Sequence, residues 1–243
     1  MIRLDKLLSG SLPCTRKDAA GLIRSGRVAV DGTVIRKPDT KLEENAELTV
    51  DGAPINARRF IYIMMNKPAG LISATDDVRE KTVLSLLPDE YLTKNIFPAG
   101  RLDKDTTGLL ILTNDGEVAN KLMHPKNHVE KIYHVKIKTE IAPEKLAALN
   151  EPMVIDDYKI KPVKVTILER KEGYTILKFV LSEGRNRQIR KMCENTGLKV
   201  RTLTRVAIGG IKLGDLPFGS WRELSKKEIL LLGGHPSGKD NVT

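Results

Sequence analysis

Leu109, Leu110, Ile111 and Leu112 form an unbroken apolar run between Gly108 and the turn residues Asn114, Asp115 and Gly116. Nothing else in the chain constrains the fold as much. Consecutive apolar residues leave no polar face, so the strand they form must be covered on both sides. The polar residues ahead of it become a loop anchored to a buried strand. Asp103 lies on that loop between Arg101 and Lys104. Nearby positive charge favours the ionised form of a carboxyl group, which makes Asp103 a candidate nucleophile. Taken alone, an aspartate in such a place more often stabilises a turn or a surface ion pair.

The 243 residues suffice for one large domain or two smaller ones, and two are expected. Forty-one Lys and Arg against 31 Asp and Glu give a formal charge of +10, which suits a phosphate-rich partner such as nucleic acid. No apolar stretch approaches the roughly 20 residues of a membrane span, so no membrane partner is expected. The start, Met1-Ile2-Arg3-Leu4-Asp5-Lys6, lacks the pattern of a secretory signal, and the cytoplasm is the expected location. Cys14 and Cys193 lie far apart without CxxC spacing and read as free thiols. His124, His128, His134 and His235 show no metal-ligand spacing, and no metal is expected.

Leu4, Leu7 and Leu8 have helical spacing, and Pro13 interrupts the chain after them. Thr15 is placed to cap a second helix, with Asp18 completing a capping box and Ala19, Ala20, Leu22 and Ile23 giving it an apolar face up to Gly26. Two short strands flank Asp31-Gly32, a dipeptide favoured in tight hairpins, and a third spans 48–50. Residues 53–59 lack periodicity and read as a linker. Beyond Phe60, strands are expected at 60–65, 109–112, 133–137, 161–168, 174–181 and 200–206, and helices at 117–123, 143–149 and 186–195. Strands without regular crossover helices predict an α+β fold with a mixed or antiparallel sheet. Residues 233–243 are polar and rich in chain breakers, as in a disordered tail.

Residues 100–116 resemble the catalytic motif of pseudouridine synthases, and the length of the match overrides the blander reading of Asp103. The first 52 residues resemble the S4 RNA-binding domain, through Arg3-Leu4-Asp5-Lys6-Leu7-Leu8, Arg16-Lys17-Asp18-Ala19 and Gly26-Arg27-Val28-Ala29-Val30-Asp31-Gly32. The resemblance therefore implies an S4 domain over 1–52 and a catalytic domain of the pseudouridine synthase fold, mainly antiparallel, over 60–232. In the S4 family the helix pair and hairpin grip RNA through its backbone, which carries over to Arg3, Arg16, Lys17, Arg24 and Arg27. The first 41 residues hold nine bases against four acids, which favours RNA contact over a merely solvated basic face.

The activity implied is isomerisation of uridine to pseudouridine, which needs no cofactor. It requires an ionised carboxylate, a cation to hold it, a flat surface for the loose uracil and walls that exclude water. The resemblance assigns the nucleophile to Asp103. Tyr133, in Lys131-Ile132-Tyr133, becomes the aromatic that packs on the base, and Arg190, in the stretch 182–192, becomes the cation paired with Asp103. Arginine suits that pairing because it stays charged when dehydrated and can bind a carboxylate bidentately. Arg101, Arg185 and Arg187 take RNA-contact roles. Asn66-Lys67-Pro68-Ala69-Gly70 shapes a turn beside the cleft. Asp105 and Asp115 are set aside as second catalytic carboxylates, Asp105 because its residue type varies within the family and Asp115 because a turn before a helix uses aspartate for hydrogen bonding.

Extruding a uridine from its stack costs a few kcal/mol that binding elsewhere must offset. Ten aromatic residues in the whole chain are too few for a long stacking platform, so recognition by shape and phosphate is expected. Ser73-Ala74-Thr75-Asp76-Asp77, His128-Val129-Glu130-Lys131 and Ile208-Gly209-Gly210-Ile211 place the resemblance in the RsuA-type ribosomal RNA branch. It implies a monomer acting on 16S-type small-subunit RNA or an assembly intermediate. The alternatives are a 23S-type target, because the 185–193 wording also occurs in large-subunit enzymes, and a non-catalytic assembly factor.

Overall fold

The structure, a computed structural model, describes residues 2–12, 14–42, 46–55, 60–138 and 140–234. It divides into two compact units at Ile61/Tyr62. In the first, helix α1 (Leu4–Ser11) packs on α2 (Arg16–Arg24). The capping box forms as the sequence requires: the Thr15 side chain accepts from the Asp18 backbone N–H, and the Asp18 side chain accepts from the Thr15 backbone N–H. Strands β1 (Val28–Val30) and β2 (Thr33–Val34) turn through Asp31 and Gly32, both with positive φ, and β1 also pairs with β3 (Leu48–Val50).

A fourth strand, β4 (Ala53–Ile55), pairs with β3 where the sequence predicts the start of a linker. Pro54 is tolerated because β4 is an edge strand and loses no ladder bond on its open side. The rest of the expected linker, 56–59, and the expected tail from 235 onward lie outside the described residues, as does Pro13. Gly233, assigned to the tail, instead caps a helix that the sequence reading did not find.

The second unit is built on one sheet. Its main strands are β5 (Tyr62–Lys67), β6 (Thr107–Thr113), β7 (Lys131–Ile137), β8 (Lys164–Lys171), β9 (Tyr174–Leu181), β10 (Val200–Ile208) and β11 (Trp221–Glu223), in the spatial order β8-β9-β7-β10-β6-β5-β11. Short strands Phe97–Pro98 and Ile211–Lys212 add to β6 and β10. Among the described strands of this sheet only β6 and β10 run parallel, so the α+β, mainly antiparallel expectation holds.

Residues 108–113 are all buried, as their continuous apolar pattern demands. Helices α3 (Gly116–Met123), α4 (Pro143–Asn150), α5 (Gln188–Asn195) and α6 (Lys226–Leu232) belong to this unit. Val135, Leu177, Phe179, Leu203, Met192 and Leu149 join one core, which ties α4 and α5 to β7, β9 and β10. Both cysteines are free, as expected, and burial pushes the Cys193 thiol up to about 12.

Candidate active site

The site grows from a single crossing. In the parallel β6/β10 pair Gly108 lies opposite Arg205, and in the antiparallel β7/β10 pair Tyr133 lies opposite the same residue. Register alone therefore brings the loop before β6 and the aromatic on β7 to the two sides of β10. The crossing is tight: a Cβ on Gly108, whose φ is +105°, would stand 2.3 Å from the Arg205 carbonyl oxygen.

The loop is fixed mainly through its backbone. Lys67, fully buried at the end of β5, donates from Nζ to the carbonyls of Asp103 (3.1 Å), Lys104 (3.3 Å), Thr106 (2.9 Å) and Pro68 (3.1 Å). Burial pushes this ammonium down to about 8, while Asp105 and Asp103 act in the opposite direction. The Ser73 hydroxyl donates to the Leu102 carbonyl and accepts from the Leu102 N–H, both at 3.1 Å. The Thr106 N–H closes the turn onto the Asp103 carbonyl at 3.0 Å. Asp103 thus has a held backbone and a carboxylate with 33% of its side chain exposed.

That carboxylate faces an open cleft, about 480 Å³ when its solvent-filled mouth is counted, whose lining includes Arg101, Asp103, Tyr133, Leu181, Glu183, Arg185, Arg187 and Leu203. The apolar walls include Leu181 at the end of β9 and Leu203 within β10. The Ser182–Arg187 connection closes the cleft, and its shape is set by buried Glu183, which accepts from the Lys161 N–H and from Gln188 Nε2. Gln188 Oε1 in turn accepts the Arg185 N–H.

The cations around Asp103 are arranged differently from the expectation. Arg190 does not pair with Asp103: its Nη2 lies 3.1 Å from the Asp105 carboxylate and donates to the Asp105 carbonyl at 3.3 Å. The reason is the start of α5, where Arg187 sits in the left-handed region at φ 49° and turns its own side chain toward the loop. Arg187 Nη1 stands 3.8 Å from Asp103 Oδ2 and 3.3 Å from Asp105 Oδ1. Left-handed backbone in a non-glycine residue costs of order 1 kcal/mol or more, and such strain gathers at functional sites. Lys104, expected beside the Asp103 carboxylate, is instead paired with Glu80 at 2.7 Å.

Of the other sequence-assigned residues, Arg101 is exposed on the cleft, and the Arg185 guanidinium stacks 3.4 Å from the Tyr158 ring centroid. In the first unit, Arg3 and Arg16 both pair with Asp5. Burial pushes the Asp5 carboxyl up, but the hydrogen bonds from these two arginines outweigh it and leave the group below its ordinary value. Arg27 pairs with Asp51. Lys17 and Arg24 are exposed and make no ion pair among the described residues. Asp115 is a helix cap, as expected: it accepts from the Glu117 and Val118 N–H groups and from the Tyr62 hydroxyl.

Sequence reasoning missed two residues of the site. Lys67 was read as part of a turn, although a lysine closing an apolar strand was itself a signal of a buried, paired cation. Asp105 was set aside, and no local pattern ties it to residues 82 and 85 positions further along the chain.

The fold and the cleft agree with the comparisons to known proteins. Residues 2–48 match the S4 domain and residues 61–195 match RNA pseudouridylate synthase, which defines the class as an RNA-modifying enzyme. An uncharacterized RNA pseudouridine synthase, YtzG of Bacillus subtilis, is 41% identical over 95% of this chain and 98% of its own length. The ribosomal large subunit pseudouridine synthase B of the same organism is 37% identical over 94% of each chain. A crystal structure of a pseudouridylate synthase superimposes with a TM-score of 0.67 and 30% identity, covering 96% of this chain and all of that one. The chain belongs to the RNA pseudouridylate synthase family, and its activity is that of an RNA pseudouridine synthase, an isomerase.

Proposed function

We propose that this enzyme isomerises one uridine of 16S-type small-subunit ribosomal RNA in the cytoplasm, with Asp103 as the nucleophile. The observation that carries the chemistry is the placement of the Asp103 carboxylate on a pinned loop, facing a cleft that also presents Tyr133. The target uridine leaves its stack and enters this cleft, where Tyr133 packs on the base. Asp103 attacks the nucleotide and the bond between uracil and ribose breaks; the base turns and its C5 bonds to the ribose as the bond to Asp103 is released, and the C5 proton is lost to solvent while N1 takes one up, so that the product is an isomer and the carboxylate is regenerated. Apolar Leu181 and Leu203 limit the water that could intercept the separated base. Arg187, paired with the Asp103 carboxylate at 3.8 Å, takes the electrostatic role expected of Arg190, and Arg101 and Arg185 contact RNA around the cleft.

The small-subunit target is supported by residues 73–77, 128–131 and 208–211, the segments of the RsuA-type resemblance. A second reading, a 23S-type target, is favoured by the Bacillus subtilis relative with a large-subunit name. Mapping pseudouridine in both ribosomal RNAs from cells lacking the gene, complemented with wild type or Asp103→Asn, tests both. The expected result is loss of one small-subunit site that only wild type restores. A missing large-subunit site would select the second reading. Restoration by Asp103→Asn would remove Asp103 as nucleophile, and unchanged maps would reject ribosomal RNA as the substrate.

A further inference from the structure

Arg185 lines the cleft beside Asp103, yet no carboxylate holds it. Arg187 and Arg190 pair with Asp105, and Arg3, Arg16 and Arg27 have aspartate partners in the first unit. Arg185 forms no ion pair among the described residues. Its guanidinium carbon instead stands 3.4 Å from the centre of the Tyr158 ring. At that separation the planar group lies flat on the ring, because a nitrogen aimed at the face would come closer than van der Waals contact permits.

Tyr158 is itself held in place. It belongs to the hairpin Val154–Ile155/Tyr158–Lys159, whose turn residues Asp156 and Asp157 both have positive φ, as a two-residue primed turn requires. The Asp156 carboxylate pairs with Lys191 of α5, which ties the turn to the helix that follows the Ser182–Arg187 connection. The Arg185 backbone is fixed separately, by the bond from its N–H to Gln188 Oε1. One element therefore sets where the arginine starts and another sets where its charge ends.

A carboxylate partner would have fixed the guanidinium too, but it would have neutralised the charge and occupied the N–H donors. A ring face fixes it and does neither, since the donors lie in the guanidinium plane and stay open to oxygen acceptors. We propose that Tyr158 is a positioning residue: it holds Arg185 ready for a phosphate of the RNA backbone at the cleft mouth, which lowers the cost of ordering a long side chain when RNA binds. The inference rests on the reading of the cleft as the uridine site, with Arg185 in contact with RNA.

Tyr158 is 38% exposed, so its replacement leaves the core intact. Filter binding of unmodified 16S and 23S transcripts across a range of salt concentrations, with single-turnover conversion of the same transcripts, reads the effect. Arg185→Gln is expected to weaken binding of the converted transcript about 10-fold and to flatten the slope of log Kd against log salt by about 1, as for one lost phosphate contact. Tyr158→Leu alters no charge, yet it is expected to weaken binding about 3- to 10-fold and to flatten the slope in the same direction. Tyr158→Phe keeps the ring and binds as wild type. The double variant Tyr158→Leu/Arg185→Gln binds no worse than Arg185→Gln alone, because the tyrosine acts through the arginine. Wild-type affinity in Tyr158→Leu, an unchanged salt slope, additive losses in the double variant, or a Tyr158→Phe as weak as Tyr158→Leu overturns the proposal and leaves the roles of Asp103 and Arg185 standing. Wild-type affinity and slope in Arg185→Gln removes Arg185 from the RNA contacts and this inference with it, with the nucleophile assignment untouched. A wild-type protein that neither binds nor converts either transcript rejects the ribosomal RNA reading and the inference together.

Discussion

At the scale of single residues, the loop that carries Asp103 depends on an interaction whose cost and benefit are both large. Removing a lysine ammonium from water is unfavourable, and the depression of Lys67 to about 8 records that. Four carbonyl oxygens repay it, three of them on the loop. With a pKa near 8 the group is still mainly protonated at pH 7, when it has three N–H donors to share. Lys67→Met keeps the aliphatic stem and removes every donor. Buried acceptors without partners cost about 1–3 kcal/mol each, partly relieved by relaxation, so a loss of about 3 kcal/mol is expected. A urea midpoint lowered with an unchanged m-value would show it, whereas wild-type stability would mean that water replaces the ammonium without penalty.

At the scale of elements, local patterns announced five of the six labelled helices, the first capping box and the buried strand because each depends on neighbours within a few residues. Thr15 with Asp18, Asp31 with Gly32 and the run 109–112 are of this kind. The loop partners of Arg190 and Lys67 were not legible, because they depend on tertiary placement across 85 and 36 to 39 residues: Lys67 reaches the loop through the antiparallel β5/β6 pair and Arg190 through the start of α5. Arg205 shows the same limit: its Nε donates to the Leu109 carbonyl at 2.7 Å and only 2% of the residue is exposed, yet nothing in the strand pattern expected over 200–206 marks it as buried. Gly108→Ala should be among the most damaging single changes, costing several kcal/mol, since the added carbon meets backbone that cannot rotate away. Loss of cooperative thermal unfolding would confirm it.

Helix α6, absent from the sequence reading, supplies a pH test. Ser225 and Glu228 form a capping box, and hydrogen bonds from Arg222 at 2.8 and 2.7 Å hold the Glu228 carboxyl down to about 2. The folded value lies below the ordinary 4.5, so folding favours the ionised form. The stabilisation is fully present above pH 4.5 and is lost as pH falls through about 2. Glu228→Gln retains a capping-box partner and isolates the charge. It should cost about 2 kcal/mol at pH 7 and almost nothing near pH 2. An equal penalty at both pH values would mean that shape, not ionisation, secures the cap.

At the scale of the whole molecule, the formal charge of +10 gains meaning only once its engaged part is subtracted. Arg3 and Arg16 neutralise a buried aspartate, and Arg27 is tied to Asp51, so three of the five S4 bases already have anionic partners. Lys17 and Arg24 on α2 form no ion pair within 4 Å among the described residues, and they are the S4 bases freest to meet phosphate. Each phosphate contact that neutralises a charge releases counterions and steepens the salt dependence of binding. Replacing both with Gln should weaken RNA binding at every sequence and flatten the log Kd against log salt slope by about 1 to 2. The rate at saturating enzyme should stay unchanged, because neither residue lines the cleft. A falling saturated rate with an unaltered slope would place these residues in the folding or positioning of the enzyme. The pattern expected here instead separates grip from chemistry, with Lys17 and Arg24 of α2 setting how tightly RNA is held and the proposed nucleophile Asp103 how fast its uridine is turned.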